Sequence, residues 1–262
     1  MDIELLKRHF AGIGARVKVG GALVTRWHND AGINISADAD GEFFDIRIDA
    51  NNPQGYRVVN LRPELRHLLL HSETDKSKFL CGFDERHWFV CAVPGGGVTS
   101  VRAAMEALQP AEVRQAVASR LKHARKGLLR RNEAFVRQGE WFFIPEPKLA
   151  PEESAVRRNE PISRGFGKSH MLQYAYRANG EEVMVCDRHP AGVLISSYRN
   201  ILFHTPEARH WNWRQMRRNA QVYARGRIWH PDHKTVVLPW WHRVLMNTEN
   251  LAPGRSNVTF LD

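Results

Sequence analysis

The chain has 262 residues and a formal net charge of +10, and it is 43% hydrophobic and 25% charged. This composition excludes a disordered chain, and the length allows one large domain or two modest ones. No apolar run reaches the roughly 20 residues of a membrane span, and the N-terminal sequence MDIELLKRHF lacks a secretory h-region. Three cysteines without a CxxC pair predict neither a disulfide framework nor a four-cysteine zinc site, so we expect a cytoplasmic protein.

Residues 1–110 are predicted to form a near-neutral α+β lobe. An amphipathic helix is expected over 2–11, Pro63 fits the first turn of a helix in RPELRHLLLH, and Thr99 or Ser100 fits the N-cap of a helix that ends at Pro110. The predicted strands are 15–19, 22–28, 43–48 and the pair around DERH.

Residues 111–138 are predicted to form a basic connecting helix, with the helical pattern extending over about 111–137. Its apolar side chains fall on one face at 100° per residue, and a set of cationic side chains falls on the other. We expect the cationic face to contact phosphates through Lys122, Arg125, Lys126 and Arg130.

Residues 139–262 are predicted to form a β-rich basic lobe, although the whole chain could be one continuous domain. EWFFIP indicates a strand, and residues 145–163 are predicted to form a proline-rich loop. MLQYAYR and EEVMVCD are predicted to form a hairpin that turns at Asn179-Gly180. ARHWNWRQMRRNAQ fits a short helix, and VYARGRIWH with KTVVLP fits a pair of strands.

The positive charge is confined to the second part of the chain. Residues 1–110 hold 13 Lys and Arg against 14 Asp and Glu, whereas residues 111–262 hold 25 against 14 and six of the eight tryptophans. Cations neutralise phosphates and aromatic rings stack on unpaired bases, so this part is expected to bind RNA or DNA. The predicted contacts here include Arg217, Arg218, Arg225 and Arg227.

The segment SRGFGKSH (163–170) is a second candidate phosphate contact. Its Gly167-Lys168-Ser169 matches the end of a Walker A loop, but Ile162 occupies the position of that loop's first glycine. We therefore predict a cationic glycine loop, with Arg164 and Lys168 as contacts, rather than a nucleotide site.

Histidines are concentrated near the C-terminus, where HPDHKT (230–235) places two of them beside an acid and a lysine. Three interpretations are open. The segment could be a turn that contacts phosphate, or it could perform acid–base cleavage of a phosphodiester through His233, Lys234 and a second histidine, either His170 or His242. It could also bind zinc through His230, Asp232 and His233 with His242 or Cys186. We favour the turn and assign no metal ligand and no cofactor.

These patterns together predict a nucleic-acid-binding protein that uses its C-terminal surface. The alternative is a nuclease or other phosphodiester-processing enzyme that uses the C-terminal histidines. A further alternative is a protein–protein adaptor, with residues 1–110 contacting a protein partner.

Overall fold

The computed structural model describes residues 2–22, 31–49, 55–163 and 168–251, and these ranges form four α-helices and 16 strands in four sheets. The expected mixed α+β class is confirmed. The chain divides into two compact units, one built mainly from residues up to Phe142 and the other mainly from residues 143–245. No helix in the described ranges is long and apolar enough to cross a membrane.

The chain begins with a helix and a small mixed sheet. These elements are α1 (Ile3–Gly12), β1 (Val17–Gly21), β2 (Gly32–Asp38) and β3 (Gly41–Ile48). β3 lies in the middle, parallel to β1 and antiparallel to β2. The ring of Phe10 from α1 packs on that of Phe44 from β3, with 4.8 Å between centroids, and both are fully buried. Most of the predicted strand over 22–28 falls outside the described residues.

A four-stranded antiparallel meander follows, formed by β4 (Tyr56–Arg62), β5 (His67–Ser72), β6 (Lys78–Asp84) and β7 (His87–Ala92). The helix predicted at RPELRHLLLH is wrong: Pro63 opens only a single 3-10 turn, and β5 follows. Leu68 and Leu70 pack into one core cluster and Leu69 into another, so the three leucines form a strand that is buried on both faces.

Two helices follow the meander, α2 (Val101–Ala107) and α3 (Ala111–Arg120). Ser100 is the N-cap of α2, as predicted, and its Oγ accepts a hydrogen bond from the Ala103 N–H at 3.1 Å. The predicted helix over 111–137 is correct only to Arg120, because Leu121 is extended and a 3-10 helix covers Ala124–Leu128. A Cβ on Gly127 would lie 2.7 Å from Val117 Cγ1, so this glycine lets the chain fold back onto α3.

The remaining elements are mostly strands: β8 (Val136–Gln138), β9 (Trp141–Pro145), β10 (Val156–Ile162), β11 (His170–Ala178), β12 (Glu181–Cys186), β13 (His189–Leu194), α4 (Ile195–His204), β14 (Arg214–Arg218), β15 (Gln221–His230) and β16 (His233–Met246). Six of them form one sheet in the order β10-β11-β15-β16-β9-β8, and three form another in the order β13-β12-β14. The strands predicted at EWFFIP and on either side of residues 231–232 are confirmed.

Three predictions for this part of the chain are wrong. Asn179 and Gly180 do adopt positive φ, but β11 pairs with β10 and β15 whereas β12 pairs with β13 and β14, so the turn carries the chain from one sheet to another. The predicted helix at 208–221 is instead a 3-10 turn followed by β14. The predicted loop over 145–163 contains β10, an edge strand in which Pro161 is tolerated.

Candidate nucleic-acid interface

One face of the six-stranded sheet carries a group of aromatic and arginine side chains. Tyr174 on β11 lies opposite Arg225 on β15, and Tyr176 lies opposite Tyr223. Directly paired residues point to the same face, and so do residues two apart along one strand. We call this group the aromatic–arginine face, and its members are Arg158, Tyr174, Tyr176, Tyr223, Arg225 and Trp241.

The arginines of this face lie over aromatic rings. The Arg225 guanidinium is 5.2 Å from the ring centroid of Tyr174 and 5.1 Å from that of Trp241. The Arg158 guanidinium lies 5.7 Å from the Tyr174 ring, on the side of β10. Trp241 is only 4% exposed, so it forms the floor under Arg225, whereas both arginines are exposed. Cation–π contact holds each guanidinium in place without neutralising its charge.

A β-bulge determines which side chains of β15 share this face. Leu172 pairs with Ile228 and Tyr174 pairs with Arg225, so Gly226 and Arg227 together oppose Gln173. Gly226 has φ +83°, and Gln173 Oε1 accepts a hydrogen bond from the Arg227 N–H at 2.8 Å. A glycine with positive φ is typical of such a bulge. The extra residue places Arg225, rather than Gly226, opposite Tyr174.

Within the described residues, the arginines of this face are not paired with carboxylates. Across residues 2–22, 31–49, 55–163 and 168–251, no carboxylate lies within ion-pair distance of Arg158, Arg225 or Arg227. The neighbouring Arg157 differs, since its guanidinium pairs with Glu160 at 3.1 Å. Arg158 and Arg225 therefore project uncompensated positive charge from the aromatic–arginine face, which favours an anionic ligand.

Two predicted contacts, Arg217 and Arg218 on β14, have acidic partners on β12. Arg218 Nη2 lies 2.8 Å from Glu181 Oε2, and Arg217 Nη2 lies 3.7 Å from Glu182 Oε1. Each arginine is directly opposite its glutamate in the strand register. We call these four residues the arginine ladder, and its net charge is zero.

The four phosphate contacts predicted on the cationic face of residues 111–137 fall into two groups, exposed and ion-paired. Lys122, Arg125 and Lys126 are exposed, and their contact with phosphate stays a prediction. Arg130 is half-buried and forms ion pairs with Asp84 and Glu85. Burial lowers the pKa of Arg130 to about 10, so it is still protonated at neutral pH, but its charge is compensated.

In the predicted glycine loop, Arg164 lies outside the described residues, so only Lys168 can be placed. Lys168 is exposed, and its backbone carbonyl oxygen is 3.2 Å from Nε2 of His230.

Of the predicted catalytic histidines, His170 lies beside His230, and their rings are stacked with 4.2 Å between centroids. His233 opens β16, three positions after His230. His242 is not part of the stacked pair. It is 2% exposed, and its Nδ1 is 2.8 Å from the Trp240 carbonyl oxygen. It follows His233 by nine residues along β16, which corresponds to roughly 30 Å of extended strand between the two residues.

Lys234, the predicted partner of His233, is held through its backbone. Its N–H donates to Glu85 Oε2 at 2.7 Å, and its side chain is exposed. Glu85 Oε2 is also 3.8 Å from His233 Nδ1.

Sequence reasoning missed Arg158 and the three tyrosines of the aromatic–arginine face. Arg158 falls in the segment predicted as a loop, and Tyr174 and Tyr176 fall in a strand whose partner was misidentified. The available signal is the spacing of Tyr174 and Tyr176, which places two aromatic rings on one face of a strand.

Comparisons with protein-family models, with curated proteins and with solved structures find no match to this chain.

Proposed function

We propose that the protein binds single-stranded nucleic acid on the aromatic–arginine face. The observation that carries this proposal is the combination, on one sheet surface, of tyrosine rings with exposed arginines that have no carboxylate partner in the part of the chain that the structure describes. Unpaired bases stack on aromatic rings and on guanidinium planes, while arginines contact the adjacent phosphates. A duplex hides the faces of its bases, so the face favours a single strand.

The proposed mode of binding follows from the positions of these groups. Arg225 lies above Trp241 and beside Tyr174, so its guanidinium presents both a flat surface and N–H donors to the strand. Arg158 on β10 lies on the other side of Tyr174 from Arg225 and would contact a phosphate. The base-stacking surface is therefore about three strands wide, which suits a short run of nucleotides.

We also propose that the protein acts in the cytoplasm. Cys81, Cys91 and Cys186 form no disulfide, and burial raises the pKa of the Cys81 thiol, which makes it unreactive. Cysteines that form no disulfide are typical of a reducing compartment, where intracellular nucleic acid is also found.

The test is fluorescence anisotropy with labelled single-stranded and duplex RNA and DNA at several salt concentrations. We expect single strands to bind more tightly, with a log–log salt slope of about −1.4 if Arg158 and Arg225 each displace one counterion. Arg158→Ala/Arg225→Ala should weaken binding at least about tenfold, since each lost stacking contact is worth roughly 1–3 kcal/mol.

The matched control is Arg217→Ala/Arg218→Ala, which changes the net charge by the same amount. We expect less than about a threefold effect, because these arginines are already paired with Glu181 and Glu182. Equal effects of the two double variants would contradict the proposed face, and so would a salt-independent affinity.

Cleavage of a phosphodiester is a second candidate function, favoured by the stacked rings of His170 and His230, whose centroids are 4.2 Å apart. Incubation of labelled RNA and DNA with the protein, with and without a chelator, tests it. His233→Ala should then lower turnover on the order of 10²–10⁴-fold, the usual loss for a general acid or base. Substrates that stay intact with wild-type protein would rule this candidate out.

A further inference from the structure

A second group of aromatic rings lies at the three-stranded sheet, where β12 ends and β14 begins. Centroids of the His189, Trp211 and Trp213 rings are 5.5–6.0 Å apart, and their planes differ by 14–32°. All three residues are half-buried, so part of the cluster is accessible to a ligand. We call these three residues together with Arg188, which lies in the turn between β12 and β13, the tryptophan cluster.

Neighbouring groups hold the rings in place. Trp213 Nε1 donates a hydrogen bond to the carbonyl oxygen of the buried Ala208 at 2.8 Å. The Tyr198 ring of α4 packs edge-on against Trp213, with 4.9 Å between centroids. Rings that are fixed before binding lose little conformational entropy when a ligand stacks on them.

Arg188 repeats the arrangement of Arg225 on the aromatic–arginine face. Its guanidinium lies 4.3 Å from the ring centroid of Trp211, and the residue is exposed. Across the part of the chain that the structure describes, no carboxylate lies within ion-pair distance of Arg188. The indole therefore orders the guanidinium and leaves its charge uncompensated.

The charge around the tryptophan cluster favours an anion. Residues 187–214 contain four arginines against Asp187 and Glu207. The four are exposed and have no carboxylate partner among the described residues, unlike Arg217 and Arg218 of the arginine ladder: Arg188, Arg199, Arg209 and Arg214. A polyanion is therefore the ligand whose charge fits this end of the sheet.

The tryptophan cluster and the aromatic–arginine face belong to the same strand pair. Ala178 pairs with Gln221 and Glu181 pairs with Arg218, so β11-β12 and β14-β15 keep one register and form a single ribbon. The whole ribbon lies within one compact unit. Tyr174 and Val185 are 11 positions apart on it, which is at most roughly 36 Å of extended chain.

Given the proposed binding of single strands to the aromatic–arginine face, we propose that the tryptophan cluster contacts the same strand further along, with an unpaired base stacked on Arg188. Bases stack on guanidinium planes as well as on aromatic rings. At the roughly 3.4 Å rise of a stacked strand, about 11 nucleotides span the distance between the two sites. The protein therefore prefers strands long enough to reach both, because the second contact is then intramolecular.

The test is fluorescence anisotropy of the full-length protein with labelled single-stranded RNA of about 5 and about 20 nucleotides. The short strand occupies the aromatic–arginine face, which offers more contacts, and variants of the tryptophan cluster should not change its affinity. Arg188→Lys keeps the charge but loses the planar guanidinium. It should weaken binding of the long strand about 5- to 30-fold, the loss of one stacked base.

The matched control is Arg209→Lys, which makes the same change at an exposed arginine that lies over no ring among the described residues. It should bind both strands like the wild type. Arg188 and Arg209 are both exposed, so neither change should unfold the protein, and circular dichroism verifies this.

Equal binding of the long strand by Arg188→Lys and wild-type protein would overturn the second contact, even where Arg158→Ala/Arg225→Ala weakens binding of both strands. An equal loss in Arg209→Lys would overturn it as well. A loss in Arg188→Lys with none in Arg158→Ala/Arg225→Ala would instead support the tryptophan cluster and contradict the aromatic–arginine face. Absence of binding at either length would overturn both.

Discussion

The aromatic–arginine face and the arginine ladder both present arginines on sheets in the second half of the chain, but in opposite electrostatic settings. On the face, Arg158 and Arg225 rest on tyrosine and tryptophan rings and have no carboxylate partner within the described residues. On the ladder, Arg217 and Arg218 each lie opposite a glutamate.

This difference explains why a count of charges does not locate a binding surface. An aromatic ring orders a guanidinium and leaves its charge available to a phosphate, whereas a carboxylate orders it and cancels the charge. Both regions contribute to the excess of positive residues beyond position 110. Of these two regions, the aromatic–arginine face is the one that combines uncompensated charge with rings on which bases can stack.

The largest effect that would test this comparison is expected from Tyr174→Ala. This change removes the ring beneath Arg158 and Arg225 as well as a stacking surface, so affinity for single-stranded RNA or DNA should fall about 10- to 100-fold. Tyr174→Phe should bind nearly as well as the wild type, because it keeps the ring. Anisotropy titrations measure both variants.

Tyr198→Ala is the control for the loss of a tyrosine ring elsewhere, since Tyr198 packs edge-on against Trp213 and is not part of the face. A similar loss of affinity in Tyr198→Ala would mean that general destabilisation, not the face, accounts for the effect.

An intermediate effect is expected from Gly226→Ala at the bulge. An alanine at φ +83° costs roughly 1–3 kcal/mol in the free energy of unfolding, and its Cβ would lie 2.5 Å from Gln173 Oε1. The melting temperature should therefore drop by several degrees, and affinity should fall about tenfold because Arg225 is no longer aligned with Tyr174.

Gly95→Ala isolates the backbone cost, since Gly95 also has positive φ but a Cβ there would meet nothing within 4 Å. It should lower the melting temperature without changing affinity. Unchanged affinity in folded Gly226→Ala would show that the bulge is not needed to assemble the face.

The sequence predicts much of the local structure but little of the pairing on which the face depends. The hairpin at β6 and β7 could be identified because its strands are joined by a two-residue turn. Tyr174 and Arg225 are 51 positions apart, and their alignment depends on a bulge that no local pattern specifies. The Asn179-Gly180 turn even favours the wrong partner, because the same backbone conformation serves to change sheets.

Contacts between residues that are distant in the sequence also determine which charges are paired and which histidines are neighbours, and local patterns do not predict them. The pairing of Arg218 with Glu181 links residues that are 37 positions apart, so the sequence shows two charges where the structure shows a neutral pair. The sequence leaves open whether His170 or His242 is the second histidine of the HPDHKT segment, because the contact of His170 with His230 depends on how β11 pairs with β15. The predicted helix failed for a related reason, since the packing of Gly127 against Val117 is a tertiary contact.

The smallest effect should come from removing the acids of the ladder with Glu181→Gln/Glu182→Gln. If pairing with the glutamates prevents Arg217 and Arg218 from binding phosphate, this change should raise the affinity for nucleic acid about two- to fivefold. The log–log salt slope should become steeper by up to about 0.7 for each arginine that then contacts a phosphate. Glu152→Gln/Glu207→Gln changes two exposed acids and has the same effect on net charge, so it measures the contribution of overall charge alone. An equal gain in the two variants would show that pairing is irrelevant. A gain confined to the ladder variant, and abolished when Arg217→Ala/Arg218→Ala is added, would show that the two regions differ in their partners rather than in their arginines.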